Sequence, residues 1–155
     1  MDDDLNMREW SVGHDPVLVP LFLNLERARK MAHTRACVIW NQHGLTPAEF
    51  DVLATLRNAK TPHELTPGQI QDRVLLTSGG LTKVIHLLEE KGYVERLVSR
   101  EDNRIKPVRL TSAGNRCIGR TMRDLVRMTQ EWLKPFLVQD EIQAANDVLR
   151  KMADS

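Results

Sequence analysis

The sequence is poor in the residues and motifs that would give it a chemistry of its own. Cysteine occurs only at Cys37 and Cys117, far apart and in no CxxC pair or Cys/His cluster. That argues against a zinc ribbon and against a disulfide framework. The histidines show no HxxxH spacing, so no metal site is expected. GxSxG, HExxH and GxxxxGKS/T are all missing. SGGLTK at 78–83 superficially resembles a phosphate loop, but no strand leads into its glycines. The reading is therefore of a protein that is not an enzyme and carries no cofactor. The longest apolar run, VLVPLFLNL at 17–25, is too short for a membrane span and is broken by proline. The start MDDDLN is acidic where a signal peptide is basic, so the expected location is cytoplasmic. Excess charge of one sign is also lacking: the formal net charge is +1, which neither demands nor excludes a nucleic-acid partner.

What is present is helical periodicity. The chain has 155 residues, of which 41% are hydrophobic and 28% charged, ordinary values for one globular domain. From Asp15 to about Trp40, Leu18, Phe22, Leu25, Ala28, Met31, Ala32, Cys37, Ile39 and Trp40 recur at helical spacing, with Pro16 in the first turn and Gly44 closing the helix. A second helix opens with Thr46 as N-cap, Pro47 at the first position and Glu49 completing a capping box; Phe50, Val52, Leu53 and Leu56 form its buried face. Thr66 and Pro67 repeat the device for a short helix to about Val74, and Thr77 caps a further helix that Gly92 ends. The period then changes: 93–99 and 105–111 read as two short strands around the charged tip 100–104, and Pro107 predicts an edge position for its strand. A long helix follows from Ser112 to about Leu133, with Pro135 after it. The last helix runs from about Glu141 to Met152, capped by Asp140, and buries Ile142, Ala145, Val148 and Leu149.

The fold class is thus mainly α with a small β-hairpin wing: a winged helix-turn-helix flanked by long dimerisation helices. Three segments are expected, an N-terminal helix over 1–45 that takes part in dimerisation and a ligand pocket, a DNA-binding lobe over 46–111, and C-terminal dimerisation helices over 112–155. The two long terminal helices are not needed to cover the middle module. Burying their apolar faces against a second copy gives a homodimer; a monomeric helical bundle is the alternative.

A short helix, a tight turn and a longer helix make a helix-turn-helix by spacing alone. That signal is weak until the hairpin behind it gives the winged order. In that arrangement the second helix enters the major groove with its N-terminal residues foremost, and the hairpin tip reaches flanking DNA. The run TSGGLTKVIHLLEEKG at 77–92 gives up two side chains at its start, at a cost of about 1 kcal/mol each. Clearance for DNA is one reason; a bend or a close helix contact is another. Candidate DNA contacts are Thr77, Ser78, Gly79, Thr82, Lys83 and His86 on this helix, through phosphates, base edges or a thymine methyl. The wing adds Arg100, Arg104 and Lys106, with Arg96 and Arg109 nearby and Asp102 holding an arginine for a narrow minor groove. An exposed mixed-charge hairpin that binds nothing is the plain alternative.

These residues resemble the MarR family of bacterial regulators. The motifs that carry the likeness are LTPAEFDVLATLRNA (45–59), LTPGQIQDRVLLTSGGLTKVIHLLEEKGYVER (65–96) and REDNRIKPVRLTSAG (100–114), with Asp102, Arg104, Leu110 and Thr111 in the wing pattern. Within the family the chain is most similar to the PecS/HucR-type branch, which responds to urate and phenols. The resemblance implies a homodimer on a pseudo-palindromic double-stranded DNA operator, usually a repressor, released by a small aromatic carboxylate or phenol. It implies a pocket between the dimerisation helices and the DNA-binding lobe, with Trp10 and Asp51 at matching positions. The branch tends to carry arginines inside the recognition helix where this chain has Val84 and Leu87, which counts against urate itself.

Read from the residues alone, Trp10, His14, His33, Trp40 and His43 gather at the first helix and its ends. Rings for an aromatic face and a few polar groups for orientation suit such a ligand; a tryptophan at helical spacing also serves as plain core. The candidate ligand set is Trp10, His14, Asp51, Trp40 and His43. A redox-sensing regulator using Cys37 or Cys117, and a winged-helix module that binds protein, are the rival functions.

Overall fold

The computed structural model describes residues 15–97 and 107–153. The element order is α1 (Leu18–Gln42), α2 (Pro47–Asn58), β1 (Glu64–Leu65), α3 (Pro67–Gln71), α4 (Ser78–Glu90), β2 (Val94–Arg96), β3 (Val108–Leu110), α5 (Ser112–Leu133) and α6 (Gln139–Ala153). Both capping boxes form: Thr46 with Glu49 at the start of α2, and Thr66 with Gln69 at the start of α3. Each satisfies two otherwise orphaned amides and fixes where its helix begins. Gly44 and Gly92, with φ of +66° and +69°, reverse the chain after α1 and α4, a left-handed conformation that side chains rarely adopt.

One core unites the elements. Val52, Leu53 and Leu56 of α2 meet Leu81, Val84, Ile85 and Leu88 of α4, Ile70 of α3, Val94, Val108 and Leu110 of the sheet, Trp40 of α1, and Cys117 and Ile118 of α5. At about 1.5–3 kcal/mol for each buried aliphatic side chain, this cluster is what holds α4 in place. Gly114 brings α5 onto the sheet: a Cβ there would lie 2.1 Å from the Tyr93 carbonyl oxygen. Thr111 closes the same corner, its hydroxyl accepting from the Gly114 amide at 3.0 Å and donating to the Gly92 carbonyl at 2.7 Å.

The structure departs from the sequence reading in four places. The sheet has three strands in the order β1-β3-β2, so the strand after Pro107 is central, not at an edge. Pro107 stands one residue ahead of β3, where its missing N–H breaks no ladder bond, and its carbonyl accepts from Leu97 N at 2.8 Å. The unforeseen strand β1 is too short for any alternation to show; Glu64 and Leu65 pair with Arg109 and Val108. The short helix α3 stops at Gln71, and residues up to Val74 continue only as turns on the Ile70 carbonyl. Asp140 lies inside the first turn of α6, while Glu141 Oε2 accepts from Val138 N at 2.9 Å.

The fourth departure concerns α6, which buries no residue within the chain: Val148 is 55% and Leu149 50% exposed, and Ala145 is also exposed. Only Trp40 of α1 is buried, and Phe22 is 63% exposed. The apolar stripes that periodicity assigns to the terminal helices exist, but this chain alone does not cover them. Among the described residues no helix is long and apolar enough to cross a membrane.

Candidate nucleic-acid interface and effector site

α4 is two-faced. Leu81, Val84, Ile85 and Leu88 are buried, while Thr77, Ser78, Gly79, Thr82, Lys83 and His86 are all exposed. The Thr77 hydroxyl caps the helix by accepting from Gly80 N at 3.1 Å. The two glycines serve differently. A Cβ on Gly80 would sit 3.1 Å from that same hydroxyl, whereas one on Gly79 would meet nothing within 4 Å. Gly80 therefore keeps the cap uncrowded, and Gly79 leaves bare backbone at an open helix start.

On the exposed face, Thr82 Oγ1 donates to the Ser78 carbonyl at 3.0 Å, and His86 Nε2 lies 3.4 Å from Glu90 Oε1. Lys83 has no ion-pair partner among the described residues. The helix is anchored at its far end: Lys91 Nζ donates to Glu49 Oε1 at 2.6 Å and to the Gly44 carbonyl at 2.9 Å. Glu49 is only 1% exposed. Burial pushes its carboxyl up, but hydrogen bonds from Lys91 and the Thr46 amide, with the lysine charge, outweigh burial and hold it below the usual glutamate range.

The wing base is fixed by charge. Arg109 stands opposite Glu64 on one neighbouring strand and Glu95 on the other, with Nη atoms 2.9 Å and 3.8 Å from their carboxylates. Arg96 pairs with Glu89 of α4 at 3.0 Å. These two arginines, which the sequence places among the wing's free cations, are engaged in holding the sheet to itself and to α4. The spacing of opposite charges across strands was the signal for this, but it needed the register. Arg100, Asp102, Arg104 and Lys106 lie outside the described residues.

The ligand candidates separate into two places. The Trp40 ring packs on Phe50 at 5.2 Å and edge-on to His33 at 5.4 Å, and its buried Nε1 has no hydrogen-bond partner among the described residues. Asp51 is exposed as a residue, yet its carboxyl is crowded enough that desolvation raises its pKa, against the opposing charge of His33. Trp40, His33, Phe50 and Asp51 thus gather where α1 meets α2. A groove of about 650 Å³ along α1 reaches His33, but Trp40 and Asp51 do not line it. His43 goes elsewhere: its Nε2 lies 2.8 Å from Asp124 Oδ2 of α5, and this hydrogen bond lowers the aspartate's pKa. Trp10 and His14 lie outside the described residues. Cys37 and Cys117 are both free thiols; the second is buried beside the Tyr93 hydroxyl, whose pKa it raises through a hydrogen bond. Among the described residues no group of three metal-ligating side chains comes together.

A short helix, a turn, a two-faced helix and a paired strand hairpin are the parts of a winged helix, and comparison with known proteins gives the lineage. The MarR family model matches residues 43–105. MhqR, an HTH-type transcriptional regulator of Bacillus subtilis, is 30% identical over 132 residues, covering 85% of this chain and 88% of MhqR. The chain belongs to the MarR family. PecS of Dickeya dadantii, also an HTH-type transcriptional regulator, is 29% identical over 103 residues, and that match covers 66% of this chain and 62% of PecS. The chain thus spans less than two thirds of the PecS length. The apo form of MarR from Escherichia coli superimposes with a TM-score of 0.64 at 29% identity, over 83% of this chain and 96% of that one. Likeness of fold alone extends to NadR, solved with 4-hydroxyphenylacetate (TM-score 0.67, 20% identity), over 84% of this chain and 90% of that one. The protein is accordingly a DNA-binding transcriptional regulator of the winged-helix type, and a PecS-like member is consistent with the matches.

Proposed function

We propose that the protein is a homodimeric repressor that places α4 of each subunit in the major groove of a pseudo-palindromic operator and leaves it when a small aromatic carboxylate or phenol binds. The observation that carries this reading is the division of α4. Every polar candidate on it is exposed, Leu81, Val84, Ile85 and Leu88 are buried with Leu87 half-buried, and on the outer side stand the open backbone at Gly79 and Lys83, which has no ion-pair partner among the described residues. Thr77, Ser78, Gly79, Thr82, Lys83 and His86 are assigned to DNA, with Arg100, Asp102, Arg104 and Lys106 of the wing. Backbone amides at a helix start and a lysine suit phosphate, and threonine suits base edges.

The dimer reading rests on the uncovered apolar residues of α1 and α6, the segments 1–45 and 112–155 supplying the interface and 46–111 the DNA-binding lobe. The effector reading rests on the α1–α2 junction. An indole N–H that is buried without a partner among the described residues suits an acceptor oxygen, and the flanking rings of Phe50 and His33 suit an aromatic face. NadR, with its hydroxyphenylacetate, gives a precedent for the ligand class on the same fold. Trp40 and Asp51 are the central residues, and Trp10, His14 and His43 are assigned to the same ligand. Such a ligand releases DNA only if it binds more tightly to a dimer whose two α4 helices are wrongly spaced.

Gel shifts with a duplex selected by the protein from random DNA test the main reading. Retained duplex should be displaced by aromatic acids in a screen, and Lys83→Ala should weaken binding on all sequences and reduce the salt slope by about 1 per half-site. Binding no better than to unselected duplex at physiological salt would refute the operator reading. Failure of every aromatic acid or phenol to shift the melting temperature would refute the effector reading.

A further inference from the structure

Leu75 is fully exposed, the most exposed large hydrophobic residue among those described. Its position is singular as well. Every other exposed large hydrophobic among the described residues lies in or beside the terminal helices, between Val17 and Val38 or from Met122 onward. Among the described residues of the lobe from Leu45 to Leu110, Leu75 alone of the large hydrophobics is left bare.

Its surroundings are not loose. Val74 before it is buried at 8% exposure, and its amide donates to the Ile70 carbonyl at 3.2 Å. Leu76 after it packs against the core, and its carbonyl accepts from Gln71 Nε2. Two residues on, Thr77 caps α4. The chain therefore holds Leu75 outward by burying Val74 and packing the half-buried Leu76 on the core, on the same connection that delivers the exposed start of α4. A leucine can donate and accept nothing, so in a groove it reads only apolar groups, and the one apolar group on a base edge is the C5-methyl of thymine in the major groove.

We propose that Leu75 is a specificity-determining residue that packs on a thymine methyl at the edge of the half-site read by α4. The inference rests on the major-groove placement of α4 argued above, and continuity with that face is what selects DNA as the occupant. It extends the interface to a residue that sequence motifs pass over, because a leucine in a helix-turn-helix reads as core.

The test is a thermodynamic cycle between side chain and methyl. A duplex that the protein selects from random DNA is prepared twice, once with thymidine and once with deoxyuridine throughout, and binding of wild type, Leu75→Ala and Lys83→Ala is titrated at one salt concentration. Wild type should prefer the thymidine duplex. Leu75→Ala should lose about fourfold per half-site on that duplex, the factor that about 0.8 kcal/mol per buried methyl gives, and lose nothing on the deoxyuridine duplex. An equal loss on both duplexes, or no loss on either, overturns the methyl contact. Lys83→Ala separates the two readings: if it weakens both duplexes while Leu75→Ala weakens neither, α4 is docked and Leu75 is not part of the interface. If neither variant weakens binding, the docking itself is wrong. An unchanged melting temperature for Leu75→Ala, expected for so exposed a residue, keeps folding out of the comparison.

Discussion

Glu49 offers the sharpest test of how the lobe holds α4 in place. The residue is nearly inaccessible, and its two oxygens face different elements. Oε1 accepts from Lys91 at the end of α4 at 2.6 Å, and Oε2 accepts from the Thr46 amide at 2.8 Å. Glu49→Ala removes two bonds to a charged carboxylate, from Lys91 and from the Thr46 amide, each worth about 1.5–3 kcal/mol. Breaking a buried pair costs most when the abandoned partner stays buried. Lys91 is 36% exposed and regains water, so the loss should fall to about 2–3 kcal/mol. For a chain of this size that is roughly 4–12 °C in melting temperature, read at one fixed concentration because association moves the midpoint. The pH dependence follows from the lowered carboxyl. A carboxylate with a depressed folded-state pKa contributes stability above its ordinary value and loses it as pH falls through the folded value. Wild type should therefore lose stability on acidification below the usual glutamate range, and Glu49→Gln should lower the neutral-pH midpoint while flattening that acid limb. A Glu49→Ala protein melting within a degree of wild type, or an acid limb unchanged in Glu49→Gln, would sink the reasoning.

Three further outcomes follow from the same geometry. Gly114→Ala must push α5 off the Tyr93 carbonyl, 2.1 Å from the added carbon; a loss of several kcal/mol is expected, about the upper range for single substitutions, and a normal melting curve would refute the close approach. Gly79→Ala meets nothing and should stabilise the fold by up to about 1 kcal/mol while weakening operator binding. A gain in stability with unchanged DNA binding would show that clearance is not why glycine stands there. Asp124→Asn removes a carboxylate whose pKa the His43 hydrogen bond lowers, so the variant should lack the part of the wild-type stability loss that sets in as pH falls below the aspartate range. Identical acid limbs would argue that the α1–α5 link is not electrostatic.

The sequence by itself determined the local elements. Thr46, Thr66, Thr77 and Thr111 all cap helices, because a hydroxyl followed by free amides is a local interaction that needs no distant partner. The two faces of α4 were legible for the same reason, since helical period alone sorts Leu81, Val84, Ile85 and Leu88 from Ser78, Thr82 and Lys83. Tertiary structure decided whatever depends on a second element. It drew Arg96 and Arg109 into ion pairs, because the register that brings Glu64, Glu89 and Glu95 beside them cannot be read from spacing. It turned the strand behind Pro107 from an edge into the sheet's centre by adding a two-residue strand with no pattern of its own. It tied His43 to Asp124 of α5, a partner that the chain places 81 residues away. And it left Leu75 bare, where hydrophobicity alone would bury it, because its neighbours on both sides take the inward positions.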